Sequence, residues 1–154
     1  MSGGTGWIAA AALSLAAAAS APVVRFPAPV VLGAKSVSAV ADAGDERARL
    51  LAAARSRTAH VFLHLGGVSA ARPPGVIWRV RIAGRAVGAV ALYGTGIRSE
   101  PRFRPARFDF VCDGAIAAAL ADGRGRIVVT FAPAGPLARP RASVRVERVD
   151  LRVG

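Results

Sequence analysis

The chain is 154 residues long, one domain's worth, and its only cysteine, Cys112, excludes an internal disulfide. It is 53% hydrophobic but only 6% aromatic, and Ala supplies much of the apolar count, so the core it can build is smaller than that percentage implies. The formal charge is +12, and all but one of the 21 Lys and Arg are Arg; nucleic acid, anionic lipid or another polyanion is therefore open as a partner, although no dense Arg cluster interleaved with aromatics marks a nucleic-acid motif.

Residues 1–24, MSGGTGWIAAAALSLAAAASAPVV, are an uncharged, Ala-rich segment with two readings. One is a secretory signal with small residues such as Ala17 and Ala19, or Ala19 and Ala21, at a cleavage site; the other is a low-complexity linker. No Lys or Arg precedes Trp7, and Pro22 follows Ala21, both against the signal. The signal implies a secreted or periplasmic protein, the linker a cytoplasmic one. A stable transmembrane anchor is disfavoured, because the run is short for a span and mostly Ala.

Residues 25–57 read as an extended lead-in. Pro27 and Pro29 cannot donate to a central ladder and suit an edge strand. Asp42 to Arg57 is either a short helix or a loop, with Asp45 as a candidate cap and Leu50, Leu51 and Ala54 as a narrow apolar stripe.

From Thr58 to the end the pattern is that of a β-sandwich core. Val61, Leu63 and Leu65 alternate with His60, Phe62 and His64, and Gly66-Gly67 are expected to end that strand. Val76 to Tyr93, VIWRVRIAGRAVGAVALY, reads as a hairpin turning at Gly84-Arg85, with Ile82 facing Val87, Val80 facing Ala89, Trp78 facing Ala91 and Val76 facing Tyr93. Arg79 and Arg81 then point away from the core.

A Gly- and Pro-punctuated loop, GTGIRSEPRFRPA, leads to a strand over 107–112. Asp113 is expected to cap a short helix carrying Ile116 and Leu120 and ending at Gly123. Arg126 to Ala132 is a strand with Ile127, Val129 and Phe131 inward. In the last strand, Ser143 to Val153, the alternation changes phase near Glu147-Arg148, which one bulged residue would reconcile. These elements predict an all-β fold, an antiparallel, jelly-roll-like β-sandwich with one short helix and the Ala-rich N-terminal segment.

The order of PVVLGA (29–34), VFLHLGGV (61–68), PPGVIWRVRI (73–82), VGAVALYG (87–94), RFDFVCD (107–113), RIVVTFAPAG (126–135) and SVRVERVDLRV (143–153) resembles the C-terminal β-sandwich domain of tyrosinases and related polyphenol oxidases. The family's catalytic domain holds two coppers on six histidines, whereas this chain has only His60 and His64. The resemblance therefore implies no oxidase chemistry here and no cofactor or metal of its own. It implies a companion role, in cis in a longer parent or in trans: packing over the type-3 copper domain, shielding its substrate entrance, or assisting its folding and metal uptake.

Several residues invite a site reading. On a strand His60 and His64 share a face about 13 Å apart, too far for one metal. Cys112 on an apolar strand reads as a small buried hydrophobe. Asp109 and Asp113 suit a turn and a helix cap better than paired acid-base work. No phosphate-binding Gly loop, zinc signature or Ser-His-Asp arrangement stands out, so no catalytic residue is assigned. Phe103 is the loop aromatic chosen as a plug for a copper cavity, a role the resemblance implies, while Tyr93 and Phe108 are expected in the core or at its rim. Arg79, Arg81, Arg102 and Arg104 are the candidate partner-facing cations. The reading from another class is an Arg-rich module that binds nucleic acid or another polyanion.

Overall fold

The computed structural model describes residues 20–135 and 139–154. All but the last five residues of the Ala-rich segment, and with them the signal-or-linker question, lie outside the described residues. In chain order the strands are β1 (Val24–Arg25), β2 (Val30–Leu32), β3 (Val37–Asp42), β4 (Val61–Ala70), β5 (Trp78–Ile82), β6 (Arg85–Val90), β7 (Ala106–Val111), β8 (Arg126–Pro133) and β9 (Val144–Val153). Helix α1 (Arg47–Arg55) follows a 3-10 turn over Gly44–Glu46, and α2 is Asp113–Leu120.

The strands make the expected antiparallel β-sandwich. In the first sheet β9 pairs with β1 and β2 on one side and with β4 on the other, and β7 closes the far edge; the second sheet runs β3-β8-β5-β6. The two short strands β1 and β2 share one edge, broken where Pro27 and Pro29 cannot donate. From β3 onward the chain passes back and forth between the sheets, with the β5–β6 hairpin the one consecutive pair within a sheet, so most pairings are long-range.

The core lies between the sheets. Val61, Leu63, Leu65 and Leu151 from the first meet Trp78, Val80, Ile82, Ile127, Val129 and Phe131 from the second, all fully buried. Each such side chain contributes about 1.5–3 kcal/mol by leaving water, which is how an aromatic-poor chain still builds a core. Trp78 keeps its polar handle satisfied, donating from Nε1 to the Gly33 carbonyl at 2.9 Å.

Helices α1 and α2 pack on each other, with Leu50, Ile116 and Leu120 fully buried. Asp45 does not cap α1: it sits in the 3-10 turn, and Asp42 Oδ1 instead accepts from the Gly44 N–H at 2.8 Å. Arg47 Nη2 donates to the Leu120 carbonyl at 3.0 Å, placing a cation at the negative end of α2.

Three sequence expectations are corrected. The hairpin turns at Ala83-Gly84, both with positive φ (51° and 73°) as a type I′ turn requires, so Ile82 faces Arg85 and Trp78 faces Val90. Val90 and Leu92 are then buried on β6 and its continuation, and Tyr93 is 82% exposed. Gly66-Gly67 do not end β4, which runs on to Ala70. Nor is β9 bulged against β4: their register is continuous from Val61↔Val153 to Ala70↔Val144, and the slip lies between β4 and β7. Both central strands change phase together at Gly66-Gly67 and Glu147-Arg148, with Gly67 at φ +62°.

Candidate functional site

Phe103 sits in the segment between β6 and β7, which is short of regular structure but firmly tied down. Ala70 donates to the Gly96 carbonyl at 2.8 Å, Arg98 donates back to the Ala70 carbonyl at 2.8 Å, and Gly96 donates to the Arg104 carbonyl at 3.0 Å. Leu92 and Ile97 are buried beneath it. Gly96, at φ +73°, could not carry a Cβ, which would lie 2.8 Å from the Val68 carbonyl oxygen. Phe103, one residue before the Arg104 tie, is 39% exposed between the exposed Arg102 and Arg104.

Tyr93 and Arg104 line one shallow cleft of about 470 Å³ together with Arg107 and Phe108. Phe108 is half-buried and stacks on Phe110 at 6.0 Å. The outcome is an exposed aromatic and cationic rim in which Tyr93, read from the sequence as core or rim, is among the most exposed side chains. Arg79 and Arg81 sit elsewhere: they project from β5 on the outward face of the second sheet, with Ala89 and Ala132 beside Arg79 and Ala86 and Thr130 beside Arg81.

The histidines are each claimed by a different aspartate. Asp113 does not cap α2; its Oδ1 accepts the Val61 N–H at 2.7 Å and its Oδ2 accepts from His60 Nδ1 at 2.7 Å, bracing the start of β4 against the start of α2. Asp109 lies in β7, not in a turn, opposite His64, whose Nδ1 donates to it at 2.7 Å. On the other side of His64 lies Asp150, 3% exposed, its carboxylate held by Arg152 Nε at 2.6 Å, and that pairing raises the Arg152 pKa. The His64–Asp109 and Asp150–Arg152 pairs satisfy His64 and Asp150, which are buried on the outward face of the first sheet.

Among the described residues no three His, Cys, Asp or Glu side chains are grouped to hold a metal ion. A copper pair held by six histidines does not fit a sequence with two, each of them engaged by an aspartate. Cys112 is buried, its thiol lying 3.4 Å from the Val61 carbonyl oxygen. Burial, reinforced by the Asp113 charge, pushes its pKa up to about 12, the reverse of what a nucleophilic thiol needs.

One cluster has no counterpart in the linear sequence. Arg72, Arg98, Arg141 and Arg145 border a single cleft at the end of the first sheet. They come from three segments, around residues 72, 98 and 141–145, and no motif links the three; the strand topology brings them together.

No protein-family model matches the chain, and no curated protein sequence does. Solved structures do. BuGH86 in complex with neoagarooctaose matches with a TM-score of 0.53 at 8% identity, over 84% of this chain and 18% of its own. Latent aurone synthase, a polyphenol oxidase, matches with a TM-score of 0.51 at 12% identity, over 82% of this chain and 26% of its own. Identities this low speak for fold alone, and a fold hosts many functions. This chain thus shares its β-sandwich fold with a domain-sized part of a latent polyphenol oxidase and with a similar part of BuGH86.

Proposed function

We propose that the chain is a non-catalytic companion module that packs on a type-3 copper oxidase catalytic domain, in cis within a longer parent or in trans, and covers its substrate entrance. The observation that carries this reading is Phe103: an exposed aromatic flanked by two arginines, one residue from a backbone tie in a loop fixed to β4. A tethered aromatic of this kind enters a cavity at little ordering cost, because its backbone is already placed. The fold shared with latent aurone synthase supports the reading at the level of architecture. Tyr93, Arg102 and Arg104 surround the insertion point, and Arg79 and Arg81 offer a second, charged contact area. Copper belongs to the partner in this scheme.

The test is direct binding. The full chain and a tyrosinase catalytic domain are run by calorimetry at low and high salt. The reading expects a one-to-one complex that persists at high salt, as a contact with an apolar centre does, and a weakening of about tenfold or more for Phe103→Ala, the ordinary cost of removing a central aromatic anchor. Absence of a complex, or one that Phe103→Ala leaves unchanged, refutes it.

A further inference from the structure

We propose that the cleft bordered by Arg72, Arg98, Arg141 and Arg145 binds a tetrahedral oxyanion, phosphate or sulfate, free in solution or carried on a larger molecule. This goes beyond the companion role and does not depend on it. The cleft has a volume of about 540 Å³, and Ser69 and Ser143 add hydroxyls to its wall.

The fold assembles the four cations deliberately close. Pairing of β4 with β9 sets Ser69 opposite Arg145. The bridge between Ala70 and Ile97 carries Arg98 alongside. Arg141 donates its backbone N–H to the Pro74 carbonyl at 2.8 Å, and Arg72 Nε donates to the Arg141 carbonyl at 2.8 Å, so the two loops that bear them are stitched together. Arg98 Nη2 donates to Ser69 Oγ at 3.2 Å. These bonds fix Arg72 and Arg98 through one nitrogen each, leaving most of each guanidinium's N–H donors for a ligand.

Charge bookkeeping points the same way. Among the described residues, Glu147 is the carboxylate that pairs with a member of the cluster, and it takes Arg145. Arg72, Arg98 and Arg141 have no acidic partner there, so like charges are gathered without compensation. A doubly charged oxyanion between them converts repulsion into attraction, and the planar guanidinium fork matches two oxygens of such a group at once. Among the described residues no aromatic side chain lines the cleft, which gives stacking bases no platform there; the recognised unit is the oxyanion.

The full chain is titrated by calorimetry with inorganic phosphate, with inorganic sulfate and with a heparin-derived sulfated disaccharide, all at one ionic strength set by sodium chloride. Saturable one-to-one binding of at least one of them is expected. Uptake of the free ions identifies a free-ion site, and uptake of the disaccharide alone identifies a carried group. The double variant Arg72→Gln/Arg98→Gln should bind about tenfold more weakly or worse, the cost of losing charge-assisted hydrogen bonds, while Arg79→Gln/Arg81→Gln on the other sheet should bind as the parent does. No saturable binding of any of the three, or equal weakening in both double variants, overturns the proposal. If the first double variant does not fold, arginine Nε–H resonances of the parent chain decide: shifts confined to Arg72, Arg98, Arg141 and Arg145 support the site, and equal shifts at Arg79 and Arg81 overturn it.

Discussion

Substitution of Gly67 tests the claim that β4 and β9 turn over together at one point. A Cβ at this position would lie 2.7 Å from Glu147 Cβ and 2.9 Å from its Cγ, closer than non-bonded carbons approach, and the backbone stands at φ +62°. Two costs therefore combine in Gly67→Ala: roughly 1–2 kcal/mol for placing an L side chain in the left-handed region, and about 1–3 kcal/mol for the forced shift of a packed strand. The expected loss is about 2–5 kcal/mol, a large part of the stability of an ordinary domain. Two further glycines separate the terms. At Gly84, φ +73°, an added Cβ meets nothing within 4 Å, so Gly84→Ala should show the backbone cost alone; at Gly33 the Cβ also meets nothing and φ is not in the left-handed region, so Gly33→Ala should be close to neutral. Urea unfolding of the three variants reads the order directly. A Gly67→Ala midpoint equal to that of Gly84→Ala would mean that β9 is not held against β4 as described.

Two other predictions follow from the polar contacts. Asp113→Ala removes the acceptor for the buried Val61 N–H and for His60; it should cost about 1–3 kcal/mol by urea unfolding, with Asp113→Asn recovering part, and a neutral Ala variant would refute the bracing role. Cys112 should resist thiol reagents near neutral pH in the folded chain and react on unfolding. Burial pushes its folded pKa up to about 12, above an ordinary thiol's 9.0, so its contribution to stability is present below pH 9 and is lost as pH rises toward 12. Cys112→Ala should therefore flatten the fall of stability across that alkaline range, and an unchanged slope would contradict the assignment.

How much of this was legible in the sequence depends on how unequal the two faces of each segment are. In β5 and β8 large apolar residues alternate with Arg, Thr or Ala, Val128 apart, and the inward sets Trp78, Val80, Ile82 and Ile127, Val129, Phe131 read off directly. In AVGAVALY both phases are apolar, so the alternation cannot fix register. Register then rests on the turn, and residue preferences favour Gly84-Arg85 over an Ala at φ 51°. The phase change in β9 was visible, but its cause lay in the partner strand at Gly67, which no reading of β9 alone contains. The site was less legible. Phe103 stood out because its loop lacks alternation, whereas the exposure of Tyr93 follows from the shifted register. The Arg72, Arg98, Arg141 and Arg145 cluster, like the His60–Asp113 and His64–Asp109 pairs, spans segments far apart in the chain and exists only once the sheets form.

The most direct test of the companion role is to follow diphenol oxidation by a copper-loaded tyrosinase catalytic domain while the full chain is titrated in, at low and at high salt. The account predicts saturable inhibition at both salt concentrations, relieved by Phe103→Ala in a variant whose thermal stability matches the parent. Oxidation that continues undiminished at every concentration and at both salts would contradict it.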